Sequence, residues 1–224
     1  MTIPLRLAHR GDWRRAPENT LAAFAAALAI PACDGLEFDV RLSADGTPVV
    51  IHDETLERIY GRHGRVDATD DATLATLGVP TLAAVLSAAG PRPFLDVELK
   101  GVQGAAAVDV IAAARGTTRD SNPKAVVVSS FDATTLERVG SLRPSWPRWL
   151  NADVLDAGTV ALAVELRCVG VAVTWRAIDP RSIALARVAG IDVAAWTVRR
   201  RATFDRLAAL GVVAVCAEAA ALDG

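Results

Sequence analysis

Leu5-Arg6-Leu7-Ala8-His9-Arg10-Gly11 reads as a short apolar strand running straight into a histidine, an arginine and a glycine, and Pro17-Glu18-Asn19-Thr20 then opens a helix. The same β/α unit recurs along the chain. Strand-like runs are expected at Leu5–His9, Leu36–Leu42, Phe94–Lys100, Ala125–Phe131, Arg148–Asn151, Val169–Thr174, Asp192–Val198 and Val212–Cys216. Between them lie Ala/Leu-rich helical runs near Thr20–Ile30, Leu82–Ala89, Gly104–Arg115, Ala133–Gly140, Gly158–Leu166, Arg181–Ala189 and Ala202–Leu210. Start signals such as Asp132 before Ala133 and Asp179-Pro180 before Arg181 support them. This alternation predicts an α/β protein with a parallel sheet. Eight strands in a chain of 224 residues match a (β/α)8 TIM barrel near the lower end of its size range. The fifth unit is the weakest, because Pro144, Trp146 and Pro147 crowd its strand, and only Ala217–Gly224 remain for an eighth helix.

Alternate strand residues face opposite ways. Glu37 and Asp39 therefore share one face, as do Asp96, Glu98 and Lys100, while Leu36, Phe38, Val40, Leu95, Val97 and Leu99 share the other. Asp45-Gly46 lies between two strand-like runs and signals a hairpin. With those two residues as the loop, Ala44 pairs with Thr47 and His52 falls opposite Asp39, about 5 Å apart at Cβ. The hairpin Pro48–His52 and the stretch Asp53–Pro80 interrupt the second unit, so we expect a single domain over 1–224 with an insertion at about 47–80. That insertion, His9, Glu37, Asp39, Glu98 and Lys100 all fall at strand carboxyl ends, the face where barrel active sites lie. The pattern fits either ordinary half-exposed strands or an enclosed polar site, and the agreement of three strands favours the site. Two histidines, several acids and two bases are the equipment for metal-assisted attack on a phosphate ester.

Bulk properties narrow the classes. Hydrophobic residues make up 52% of the chain and the mean hydropathy is +0.30, in short runs that never approach the roughly 18 apolar residues of a membrane span. The first strand begins near Leu5, so neither a signal peptide nor stable membrane insertion is expected, and a cytoplasmic location is the default. Net charge is −2 with 24 dispersed basic residues, which leaves no nucleic-acid footprint. Arg199-Arg200-Arg201 reads as a solvated cluster, and Arg14-Arg15, following the first loop, as the same or as an attractor for an anionic substrate. Cys33, Cys168 and Cys216 read as reduced core thiols.

These segments resemble the glycerophosphodiester phosphodiesterase family of the phospholipase C-like phosphodiesterase superfamily. The resemblance rests on His9-Arg10-Gly11 with Pro17-Glu18-Asn19-Thr20, on Glu37-Phe38-Asp39-Val40-Arg41-Leu42 with Asp45-Gly46, and on Val49-Val50-Ile51-His52-Asp53. Leu56-Glu57-Arg58, Pro80-Thr81-Leu82, Val97-Glu98-Leu99-Lys100, Ser130-Phe131 and Trp196-Thr197-Val198 extend it along nearly the full chain. It implies a TIM barrel that hydrolyses a small glycerophosphodiester to glycerol 3-phosphate and an alcohol with a divalent cation, calcium or magnesium. Carried over by position, it implies Glu37, Asp39 and Glu98 as metal ligands and His9 and His52 as the general acid–base pair. Arg10 and Lys100 would hold the phosphate, and Trp196 would wall the substrate carbons. All-oxygen ligation suits a hard cation, and histidine can give or take a proton near neutrality. A monomer or homodimer is expected.

Ala217-Glu218 stands where the family usually has Thr-Asp, which puts the eighth loop's geometry in question, and Ser43 replaces a more usual Thr. His63 is expected in solvent. A phospholipase D-like enzyme, of lysophospholipase D or sphingomyelinase D type, shares the same histidines and acids but needs an apolar groove, to which Trp13 and Tyr60 would contribute. A non-catalytic phosphate-ester-binding barrel predicts the loss of a histidine or an acid, and none is lost. An aldolase-like barrel would use Lys100 as its Schiff-base lysine, but Lys100 stands beside Glu98, where an ion pair is expected.

Overall fold

The computed structural model describes residues 3–101, 105–115 and 125–224. The strands are β1 (Leu5–His9), β2 (Gly35–Leu42), β3 (Pro48–Val50), β4 (Phe94–Leu99), β5 (Val126–Ser130), β6 (Arg148–Ala152), β7 (Gly170–Thr174), β8 (Asp192–Val198) and β9 (Ala214–Ala217). The helices are α1 (Leu21–Leu28), α2 (Glu57–Tyr60), α3 (Asp71–Thr76), α4 (Leu82–Ala89), α5 (Ala106–Arg115), α6 (Ala133–Leu142), α7 (Ala157–Glu165), α8 (Pro180–Val188), α9 (Arg201–Leu210) and α10 (Ala220–Asp223). All strands except β3 pair in parallel with their neighbours, and β9 and β2 both flank β1, which closes the expected TIM barrel. Gly104, where a helix was expected to start, lies outside the described residues. No helix among the described residues is long and apolar enough to cross a membrane.

Helix starts follow the capping chemistry of the sequence. The Thr20 hydroxyl accepts from the Ala23 N–H, and Asp132 accepts from Thr134 and Thr135. Asp179 and Ser182 form a reciprocal capping box behind Pro180. Each cap satisfies N–H groups that a helix otherwise leaves unpaired, at about 1 kcal/mol apiece. The weak fifth unit is secured by Arg148, whose buried guanidinium donates to the carbonyls of Trp146, Leu166 and Arg167.

The barrel has two apolar layers and one polar one. Outward residues Leu36, Phe38, Val40, Leu95, Val97 and Leu99 are buried against helix residues such as Phe24, Leu82, Leu86 and Ile111. Inward, Leu7, Val127, Trp149, Ala172, Ala194 and Ala214 fill the amino-terminal half. Above that plug the inward positions become Glu37, Asp39, Asp96, Glu98, Ser129 and Asn151, all buried. Cys168 and Cys216 are buried free thiols and Cys33 is partly buried.

The insertion has its own core of Val49, Ile51, Leu56, Val66, Leu74 and Val79. The hairpin register departs from expectation by one residue. Val40 pairs with Val50 and Leu42 with Pro48, and the Ile51 N–H donates to the Asp39 carbonyl at 2.9 Å. Ile51, not His52, therefore lies opposite Asp39. The cause is the turn: Ser43 and Thr47 are bonded across three loop residues, with Gly46 at φ +78 taking the left-handed position. Asp-Gly signals a hairpin in either case, but here it belongs to the three-residue loop rather than the two-residue one. His52 still reaches the site because the chain leaves the ladder after Val50 and bends.

Candidate active site

Register sets the first layer of the site. His9 on β1 pairs with Glu37 on β2, Glu37 with Asp96 on β4, and Asp39 with Glu98. One carboxylate oxygen from each of Glu37, Asp39 and Glu98 lies within 4.8 Å of the others, and the three residues are 4%, 0% and 7% exposed. Glu37 and Glu98, with His9, Arg10, His52, Asp96, Lys100, Phe131, Asn151 and Trp196, surround a cavity of about 170 Å³, so every site residue expected from sequence except Asp39 lines it. Asp39 lies fully buried beneath.

The loop after β1 carries the next set. Arg10 (φ +59), Gly11 (φ +83) and Asn19 (φ +59) all take left-handed backbone, a conformation uncommon for residues other than glycine. Two backbone bonds hold it, from the Arg10 N–H to the Glu37 carbonyl at 2.8 Å and from the Asn19 N–H to the Arg10 carbonyl at 2.9 Å. A Cβ on Gly11 would stand 2.7 Å from the Ala23 backbone, so only glycine fits against α1. The loop delivers Arg10 Nε to 3.0 Å from Asp39 and lets the Asn19 amide donate to the same carboxylate at 3.0 Å. Glu18 then bridges Arg10 and Arg58. Lys100 Nζ reaches Asp39 at 3.1 Å and Glu98 at 2.6 Å.

Each histidine is held by a carboxylate. His9 Nδ1 is 2.6 Å from Glu218 Oε1, whose other oxygen accepts from Arg199 Nε at 2.7 Å. His52 Nδ1 is 2.7 Å from Asp53, which Arg58 also engages. An ionised carboxylate only accepts, so both Nδ1 atoms carry the proton. His9 Nε2 then points toward Glu37, 3.8 Å away. The Arg41 guanidinium donates to the His52 carbonyl at 2.8 Å and steadies the bend.

Burial and charge divide the acids. Burial pushes Glu37 well up, and the neighbouring Asp39, Asp96 and Glu98 add to it. Burial also opposes the charge on Asp39, but Arg10 and Lys100 overcome this and hold it below the usual carboxylate range. Burial raises Asp96 to about 7 despite the hydrogen bond from Ser129, and burial with Asp39 raises Glu98 to about 7. Glu218 is likewise opposed by burial, yet bonds from His9 and Arg199 hold it at about 2. Burial lowers His52, against the pull of Asp39.

Several residues that the structure brings to the site were not assigned a role from sequence. Glu18 and Asn19 were legible only as part of a motif, and Glu218 only as a departure from one. Phe131 meets Trp196 edge-on at 5.7 Å. Arg14 is taken up by Asp12 and Asp223, which ties the first loop to α10. Tyr60 packs against the insertion core, which leaves Trp13 as the exposed aromatic of the two named for an apolar groove. His63 is solvent-exposed, as expected.

The glycerophosphoryl diester phosphodiesterase family model matches residues 9–221. A glycerophosphodiester phosphodiesterase from Caldanaerobacter subterraneus is 30% identical, over 93% of this chain and 91% of the relative. One from Bacillus subtilis is 28% identical, over 94% and 82%. An Oleispira antarctica phosphodiesterase, solved in complex with the product sn-glycerol 3-phosphate, matches with a TM-score of 0.82 and 27% identity over 96% of this chain and 93% of that one. A glycerophosphodiester phosphodiesterase from Agrobacterium tumefaciens gives 0.82 and 27% over 98% of both chains.

Proposed function

The chain belongs to the glycerophosphoryl diester phosphodiesterase family and is a phosphoric diester hydrolase; on that premise we propose that it cleaves glycerophosphodiesters to glycerol 3-phosphate and an alcohol at the barrel mouth, with a divalent cation and two histidines. The observation that carries this reading is the meeting of three buried carboxylates, two carboxylate-held histidines and two cations around one cavity. The donor set fits a hard ion, calcium or magnesium, because it is all oxygen. Glu37 Oε2 is buried without a hydrogen-bond partner among the described residues. Glu37, Asp39, Asp96 and Glu98 set four acids against the two permanent cations Arg10 and Lys100, so a bound cation would favour the ionised forms of the carboxyls that burial has raised. When bound, the ion polarises a phosphoryl oxygen as a Lewis acid.

The remaining work falls to the chain itself. Arg10 and Lys100 stand beside the carboxylates and donate to the non-bridging phosphate oxygens as charge builds there. His9 and His52, each with Nδ1 occupied, present Nε2 for proton transfer. One takes the proton of the attacking nucleophile, either water or the glycerol hydroxyl, and the other returns one to the departing alkoxide; on the second route the same pair then adds water to open the cyclic phosphate to glycerol 3-phosphate. Trp196 and Phe131 wall the substrate carbons. Turnover of glycerophosphocholine, glycerophosphoethanolamine and a lysophospholipid tests the reading. Glycerol 3-phosphate should be released from the first two, whereas hydrolysis of the lysophospholipid alone would overturn it.

A further inference from the structure

The cavity is chemically lopsided. One wall, from β1, β2, β4 and the bend after β3, carries the histidines, acids and cations, whereas the other, from β5 to β9, is largely apolar and presents Phe131, Ala172, Trp196, Thr197 and Cys216. Within that apolar wall stands one amide, Asn151 at the end of β6, 6% exposed. Its Oδ1 is buried without a hydrogen-bond partner, and its side chain forms no hydrogen bond to the described residues. The nearby buried hydroxyls do not share this state: Ser129 donates to Asp96 and Ser130 to the Leu99 carbonyl. A buried polar group left unpaired is costly, and one that lines a cavity is completed by what the cavity binds.

The chemistry of the amide narrows the ligand group. An unpaired acceptor needs a donor, and phosphodiester oxygens have none, nor does a quaternary ammonium. A hydroxyl is both donor and acceptor, so it pairs with the amide in either orientation of its broad terminal torsion. Resting on the glycerophosphodiesterase reading above, we propose that Asn151 is a specificity residue that binds a hydroxyl of the substrate's glycerol moiety. Phosphate is held on the charged wall and the hydroxylated carbons turn toward β6. Glycerol is thereby distinguished from an alkyl group of equal length.

Direct calorimetric binding of glycerol 3-phosphate and n-propyl phosphate, with added magnesium or calcium, tests this without relying on turnover. The wild-type chain should bind glycerol 3-phosphate at least about tenfold more tightly, the scale of one unmet buried hydrogen bond. Asn151→Leu should bring the two ligands within about twofold of each other while leaving propyl phosphate nearly unchanged. Equal weakening of both ligands would make Asn151 a phosphate contact, and an unaltered preference would make it structural; either overturns the proposal. Asn151→Ala, with its fold checked by thermal melting, repeats the comparison if the leucine variant is unstable. Failure of both variants to fold would also assign the amide to structure. A wild type that hydrolyses no glycerophosphodiester counts against the functional reading, whereas one that does so yet binds both ligands equally counts against the Asn151 assignment alone.

Discussion

Glu218→Gln keeps the shape of a buried side chain and removes the charge that holds His9. Glu218 accepts from His9 Nδ1 at 2.6 Å and is fixed from behind by Arg199 at 2.7 Å. A hydrogen bond to a charged group is worth about 1.5–3 kcal/mol, and at about 1.4 kcal/mol per tenfold its loss lowers kcat roughly 10- to 150-fold. A glutamine amide can also donate to Nδ1, which would move the ring proton to Nε2 and misdirect it. The equivalent change in hydrolase triads costs about 10⁴-fold. The expected fall in kcat therefore starts at about tenfold. KM should change little, because Glu218 stands behind His9 and does not line the cavity. Glu218→Asp keeps the charge one methylene further back and should retain more activity than the glutamine variant. Steady-state kinetics on glycerophosphocholine at saturating cation measure this, and ¹⁵N spectra of His9 report the tautomer. Wild-type kcat in Glu218→Gln with an unchanged tautomer would refute the reasoning.

The same residue predicts an acid-stability difference. Glu218 titrates at about 2 when folded against an ordinary 4.5. Its stabilising contribution is therefore complete above about pH 4.5 and is lost as pH falls toward 2. Denaturant melts of Glu218→Gln should show a shallower loss over that window than the wild type, and parallel curves would remove the basis for it. Calcium or magnesium at a hundred times its Kd should stabilise the fold by about 2.7 kcal/mol, roughly 5–10 °C in a chain of this size. Asp39→Asn should abolish most of that shift in differential scanning fluorimetry. His9→Ala and His52→Ala should each lower kcat on glycerophosphocholine by at least about 10²-fold. On an aryl phosphodiester, whose leaving group needs little protonation, only one of the two should remain severely impaired, and equal losses on both substrates would contradict an acid–base division.

The barrel was legible because each β/α unit carries its own period and caps, and the acids because Glu37 and Asp39 share one face of their strand and Glu98 joins them once the apolar faces of both strands turn to the helices. Local signals failed where geometry depended on turn type. Asp45-Gly46 marked the hairpin, but the added loop residue Ala44 moved the register by one, and His52 enters the site from a bend that no pairing count describes. The positions of Arg10 and Asn19 depend on left-handed backbone in a loop without periodicity. Glu218 looked like a defect because a motif comparison sees identity, not reach. In the fold, its carboxylate meets both His9 and Arg199. Asn151 gave no signal at all, since an isolated amide in a short strand acquires meaning only from the apolar wall around it.

The central claim, cation-assisted hydrolysis by the carboxylate and histidine cluster, is tested most directly by one measurement. It is the rate of glycerol 3-phosphate release from glycerophosphocholine by the wild-type chain after exhaustive chelation, and again after calcium or magnesium is returned. The account predicts that release falls to background on chelation and recovers with the added ion. Full release in the chelated enzyme would contradict it.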